Sequence, residues 1–235
     1  MTNEALQIKF RQRLNKIASD DYDNIECWQI VEAFNKAQIE WCRRQLHGAN
    51  TLQEGDEGSK RRIDDLQVLL LDFALTTNEL DDFVQTTNFP DRETFLEYKR
   101  VSLQATSECC PEPRSMTCYL SEEANVDLIM RDPLKRPDFD WGETFCTLAG
   151  NTIKIFKKDF NIVNPVLTFY RQPRRVEIVN CVDPYTGLAS GANIESEFKD
   201  DIVEVLIDDA VSIVAGDIAD ANNYGREMQA AERNN

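Results

Sequence analysis

From Ile202 to Ile218 apolar residues recur every three or four positions. One stripe carries Val203, Ile207, Ala210, Val211, Val214 and Ile218, and a second beside it carries Ile202, Leu206, Ala210 and Ile213. The pattern predicts an amphipathic helix whose apolar sector is wide enough to face more than one neighbour. The same spacing predicts three earlier helices. Residues 4–18 align Leu6, Phe10, Leu14 and Ile17; a second helix, which Asn24 can cap, runs to about His47 behind Trp28, Val31, Phe34, Ala37 and Trp41. A third, over about 60–75, offers Ile63, Leu66, Leu70 and Phe73. Between the last two, residues 49–60 hold Asn50, Gly55, Asp56, Gly58 and Ser59 and read as an exposed loop.

After Thr76 the repeat shortens. Strands are expected at 82–87, 94–106, 116–121, 125–130, 143–148, 152–157, 165–171 and 176–181. All eight prolines fall between Pro90 and Pro184, outside the four helices. Gly187, Gly191 and Asn193 then form a return loop. The expected fold is α+β: a four-helix bundle, from three N-terminal helices and a C-terminal one, with an inserted β-rich domain. The corresponding domains are 1–75 with 195–220 for the bundle, 76–194 for the β-rich insertion and 221–235 for a polar C-terminal tail.

Charge narrows the function. The net charge is −16, and residues 195–235 supply half of it with 11 Asp/Glu against 3 Lys/Arg. A chain this acidic is poorly suited to gripping nucleic acid through a basic surface, although DNA could pass it without sticking. No apolar run approaches the roughly 20 residues of a membrane span. Met1 to Phe10 contains Glu4 and Lys9 and lacks the pattern of a secretory signal. The seven cysteines show no CxxC pair, and their odd number favours reduced, largely buried thiols of a cytosolic protein.

Candidate chemistry is sparse. The single histidine, His47, ends the second helix, where it suits the helix dipole. No phosphate-loop, dinucleotide, zinc-protease or nucleophile-elbow motif occurs. Cys109-Cys110 lacks a nearby activating histidine and reads as a strand-to-loop position. The pairs Asp81-Asp82, Asp200-Asp201 and Asp208-Asp209 invite a metal or carboxylate-hydrolase reading. Each is too short for a calcium loop, and solvated helix faces or termini account for them. The basic run Phe169-Tyr170-Arg171-Gln172-Pro173-Arg174-Arg175 is the most specific cluster. Arg171, Arg174 and Arg175 could meet Asp208 and Asp209 on a neighbouring subunit, form intrachain ion pairs, or contact phosphate.

Three stretches carry a resemblance. They are Trp141-Gly142-Glu143 with Asn151 to Phe156 and Leu167 to Ile178, then Glu197 to Tyr224, and then Asp23-Asn24-Ile25 with Trp28 and Ala33 to Gln38. Together they resemble structural proteins of crAss-like short-tailed bacteriophages, similar to tail adaptor or head-completion proteins, and the likeness covers most of the chain through loose patterns. The resemblance implies a twelvefold ring of identical subunits beneath the portal protein, in contact with other tail ring or hub proteins. Genomic DNA would pass through the lumen, and the chain would reside at the head–tail junction of the virion after synthesis in the host cytoplasm. It implies no catalytic residues, cofactor, metal or membrane partner. Tyr224 and Arg226 of the tail would be the portal contacts. The competing class is an acidic regulatory or DNA-mimic protein that binds a host enzyme.

Overall fold

The computed structural model describes residues 1–17, 25–47 and 64–217. The expectations for Asn24, the 49–60 loop, Ile63, Ile218, Tyr224 and Arg226 lie outside the described residues. The chain divides into two compact units: Leu69–Gln172, and Met1–Val68 together with Pro173–Asn235.

The first unit is built on strands β1 (Leu70–Ala74), β2 (Thr77–Glu79), β3 (Phe83–Thr86), β4 (Phe95–Ser107), β5 (Cys110–Ser121), β6 (Glu143–Ala149), β7 (Thr152–Phe156) and β8 (Asn161–Arg171). They form one sheet in the order β1-β8-β4-β5-β6-β7-β3-β2. β1 and β2 stand at opposite ends of that order, yet Leu75 and Thr76 alone separate them in the chain. One continuous run therefore pairs with β8 through its first half and with β3 through its second. The sheet must curl for this to happen. The joint is hydrogen-bonded on both sides: the Leu75 N–H donates to the Pro165 carbonyl (2.9 Å), and the Thr87 N–H donates to the Thr76 carbonyl (2.8 Å).

Strand alternation fills the inside of the curl. Val101, Leu103 and Ala105 of β4, Ile153 and Ile155 of β7, and Leu167 and Phe169 of β8 are buried in one apolar cluster. Asn164, at φ 48°, sits where Ser102 pairs with Val166 but Gln104 pairs with Val163, so β8 carries an extra residue there. Pro111 and Pro113 lie in β5 ahead of Thr117, where its parallel pairing with β6 begins, so their missing N–H groups cost that ladder nothing. The β5–β6 crossover contains a short helix, α3 (Val126–Arg131), preceded by a 3-10 turn at Glu123–Asn125.

The second unit holds α1 (Asn3–Ile17), α2 (Cys27–His47) and α4 (Asp200–Asp217). α4 packs against both α1 and α2. Val203, Ile207 and Val211 are buried, and so are Ile202, Leu206 and Ala210, so both stripes are used. Trp41 of α2 meets Phe198, just before α4, edge to face at 5.3 Å between ring centres.

The expected four-helix bundle with an inserted β-rich domain does not form; the dominant element is the eight-stranded curled sheet. The third helix is where the expectation fails. Residues 64–66 are helical and Gln67–Leu69 form a 3-10 turn, but Leu70–Ala74 is strand β1. Leu-Leu-Leu-Asp-Phe-Ala is a short apolar run compatible with either period. Pairing decides it, because Leu70–Ala74 lies against Val166–Tyr170, and the Thr168 hydroxyl donates to Asp72 Oδ1 at 2.6 Å. The strand expected at 125–130 is α3, and 176–181 holds an isolated bridge at Glu177 instead of a strand.

The all-reduced cysteine expectation is also overturned, since Cys27 at the start of α2 is disulfide-bonded to Cys181 across a sequence separation of 154 residues. A closure this long removes much unfolded-state freedom. The variant Cys181→Ser should lose on the order of 3 kcal/mol in urea denaturation, and reductant should bring the wild type down to the same level. Equal midpoints with and without reductant would show that the link carries no stability.

Candidate functional site

Between Pro173 and Lys199 the chain has no regular ladder, so its backbone polar groups need partners from elsewhere. Side-chain amides of the helices supply them. Asn35 of α2 donates from Nδ2 to the Val176 carbonyl (3.1 Å) and accepts from the Val176 N–H at Oδ1 (2.8 Å), mimicking a paired strand. Asn3, buried at the start of α1, donates to the carbonyls of Glu177 (2.8 Å) and Ile194 (3.1 Å). Gln38 accepts from the Ser196 hydroxyl at 2.9 Å.

From this base residues 177–194 project as a bulged hairpin, the tongue. Glu177 and Ile194 exchange both backbone bonds, Ser190 bonds Asn180 and Cys181, and the Asp183 N–H donates to the Leu188 carbonyl (3.0 Å). Its tip, Asp183-Pro184-Tyr185-Thr186-Gly187, is closed by the Asp183 side chain accepting the Tyr185 N–H at 2.8 Å. Gly187, at φ 68°, supplies the left-handed position. Tyr185 is 81% exposed and Leu188 71%. Beneath the tongue lies a groove of about 370 Å³, lined by Trp28, Val31 and Glu32 of α2 and by Arg175, Glu177 and Tyr185. A second groove, of about 240 Å³, lies in the sheet unit where the β5–β6 crossover passes over the outer face. Tyr119, Leu120, Ile129, Leu134, Lys135 and Phe145 line it.

Ion pairs tie α4 to its neighbours. Arg13 of α1 pairs with Glu204 and Asp208 and also donates to the Glu204 carbonyl at 2.6 Å, and Lys9 pairs with Glu204. Arg44 of α2 pairs with Asp209. Asp209, 7% exposed, does not lie on a solvated face. Burial pushes the Asp208 and Asp209 carboxyls above their ordinary value, against the opposing pull of Arg13 and Arg44 respectively. Desolvation thus outweighs a close ion pair at both positions, and both carboxylates are engaged inside the chain.

The three arginines are divided between the units. Arg171, at the end of β8 in the sheet unit, donates to the Gln172 carbonyl at 3.0 Å. Arg174 and Arg175 belong to the helical unit, where the Arg174 N–H donates to Glu197 Oε1 at 2.9 Å and Arg175 lines the groove under the tongue. His47 is exposed at the end of α2. Cys109 and Cys110 sit exposed at the β4–β5 turn, and a hydrogen bond with Cys109 raises the Cys110 thiol, the reverse of what a nucleophile requires. Burial pushes Cys42 up to about 12. Cys146, buried beside the Tyr98 hydroxyl (3.6 Å), is lowered by a hydrogen bond from Cys118, but it has no exposed surface. Among the described residues no three His, Cys, Asp or Glu side chains converge on a metal position, and no helix is long and apolar enough to cross a membrane.

The sequence matches no protein-family model, and no curated protein matches it. Sequence reasoning missed the tongue, having read its glycines as a return loop. Its signal was Asp183-Pro184 followed by Gly187, flanked by Val179, Val182 and Leu188. It also missed Arg13 and Arg44 as the partners of Asp208 and Asp209.

Removing Arg44 tests the buried pair. Arg44→Ala leaves Asp209 without its cation and should cost about 2 kcal/mol at neutral pH, less than the roughly 3–5 of a fully buried pair because Arg44 is part-exposed. A carboxyl raised in the folded state binds its proton more tightly there than when unfolded. Its contribution is therefore most favourable below the ordinary carboxylate value and is lost as pH rises through the folded one. The Arg44→Ala deficit should accordingly shrink on acidification toward pH 4, whereas Asp209→Asn should flatten the slope. Denaturant titrations from pH 4 to 8 read both; a pH-independent deficit would contradict the assignment.

Proposed function

We propose that this chain is a virion structural protein of a crAss-like short-tailed bacteriophage: a ring-forming head-to-tail adaptor that docks on the portal and extends the DNA exit channel. It works by assembly and carries out no reaction. The observation that carries this reading is the distribution of exposed apolar side chains. Of the fourteen large ones among the described residues, nine fall in two stretches, 119–141 of the sheet unit and 179–188 of the helical unit. Two unlike apolar patches on one chain are what a head-to-tail contact between identical subunits requires, and such contacts close into rings. The resemblance of Trp141-Gly142-Glu143, Asn151 to Phe156, Leu167 to Ile178 and Glu197 to Tyr224 to structural proteins of crAss-like short-tailed phages supports the same reading.

The acidic balance suits a channel wall that repels phosphate and lets DNA slide. The competing DNA-mimic reading needs carboxylates presented outward. Glu204, Asp208 and Asp209 instead face Lys9, Arg13 and Arg44 within the chain, which favours the adaptor.

Purified chain mixed with portal rings of such a phage should sediment with them as one large complex of cyclic symmetry. A chain that stays at small native mass and leaves the portal bare would overturn the assignment. Tight binding to a host enzyme as a monomer or dimer would establish the competing class.

A further inference from the structure

We propose that the Cys27–Cys181 disulfide is a redox latch: a dithiol reductant opens it and releases the tip of the tongue from α2, while the helices of the unit stay folded. The inference goes beyond the assembly reading and does not rest on it.

The latch is the tip's one specific tie to the rest of the unit. From Val179 to Asn193 the sole buried residue is Cys181, whereas Val179, Val182, Tyr185 and Leu188 are all exposed. Among the described residues, the hydrogen bonds of 179–192 all stay inside the tongue. A two-stranded hairpin on its own is marginal in water, and this one has only the isolated bridges Glu177–Ile194 and Val182–Ala189. The base is held separately, by Asn3 on Glu177, Asn193 and Ile194 and by Asn35 on Val176. The link therefore joins α2 to a tip that has no hydrogen-bonded anchor of its own beyond that base.

The groove follows the latch. Cys27 begins α2, and the next residue, Trp28, lines the groove with Val31 and Glu32. The tongue supplies Cys181, Asp183, Tyr185 and Leu188 to the same lining, so the bond spans from one wall's helix to the other wall. Once it is broken, the tongue wall is free to move off α2 and open the space of about 370 Å³ between them.

The exchange is balanced by the reductant. Cys27 is half-buried and Cys181 buried, so attack falls on Cys27. One reductant thiolate bonds to Cys27 Sγ, the S–S bond breaks, and Cys181 leaves as a thiolate that takes a proton from water. The second reductant thiolate then displaces Cys27, which is protonated in turn. Two electrons pass to the chain, which gains two thiols, and the reductant becomes a disulfide. An external disulfide such as oxidised glutathione runs the exchange backwards.

Hydrogen exchange read by mass spectrometry, on the full oxidised chain and after dithiothreitol under native conditions, tests the latch. Reduction should speed uptake over 179–192 by about tenfold or more, while 30–42 of α2 and 202–215 of α4 stay protected at the same labelling times. Oxidised glutathione should restore the slow uptake. The double variant Cys27→Ser/Cys181→Ser should take up deuterium fast with or without reductant, which separates the link from the five free cysteines. Should that variant fail to fold, the wild-type comparison decides alone. Equal uptake over 179–192 in both redox states would show that the tip has another anchor. Loss of protection throughout α2 and α4 would make the bond a staple of the whole unit. A bond that resists dithiothreitol until denaturant is added, or uptake that stays fast after reoxidation, would not be a latch, and each of these results overturns the proposal.

Discussion

An extended peptide that joins no sheet has to find hydrogen-bond partners for every buried backbone group, and the helical unit meets this demand with amide side chains. Asn35 offers both a donor and an acceptor to Val176, as a neighbouring strand would, and Asn3 takes two carbonyls at the base of the tongue. An amide suits this because it presents a donor and an acceptor on separate atoms of one rigid plane. Replacing either by an apolar residue would leave buried carbonyls unpaired, at a cost of about 1–3 kcal/mol each. The ordered projection of residues 177–194, and with it the account of assembly, depends on this arrangement.

The sheet unit meets a constraint of a different kind. Its terminal strands are one stretch of chain, Leu70–Glu79, interrupted at Leu75-Thr76 and paired to β8 on one side and β3 on the other. Curling follows from that connectivity and encloses Val101, Ile153, Ile155 and Leu167. What stays outward is the crossover between β5 and β6, whose apolar residues are more than solubility would choose. The two units thus each combine a well-buried interior with one patch that the isolated chain does not cover.

Periodicity made the well-patterned elements legible before the structure. α1, α2 and α4 fall close to their expected bounds, and six of the expected strands contain or overlap β3 to β8. The failures share a cause: each was settled by partners distant in sequence. Leu70–Ala74 reads as helix until β8 is known to lie beside it, and Asp209 reads as solvated until Arg44 is placed opposite. The Cys27–Cys181 bond had no local signal, because a pairing 154 residues apart leaves no spacing to recognise. The candidate site was less readable than the fold. Composition pointed to the arginines at 171–175, whereas the exposed chemistry lies mostly in the apolar tip beyond them.

Concealment of Tyr185 by another molecule of the same kind is the physical event on which the whole account turns. Hydrogen exchange followed by mass spectrometry, on chain alone at rising concentration and on chain bound to portal rings, measures it without altering a residue. Assembly should slow exchange together at residues 180–190 and 119–135, with the rest of the sheet interior unchanged. Full exchange of both stretches in an assembled ring would show that the subunits meet elsewhere.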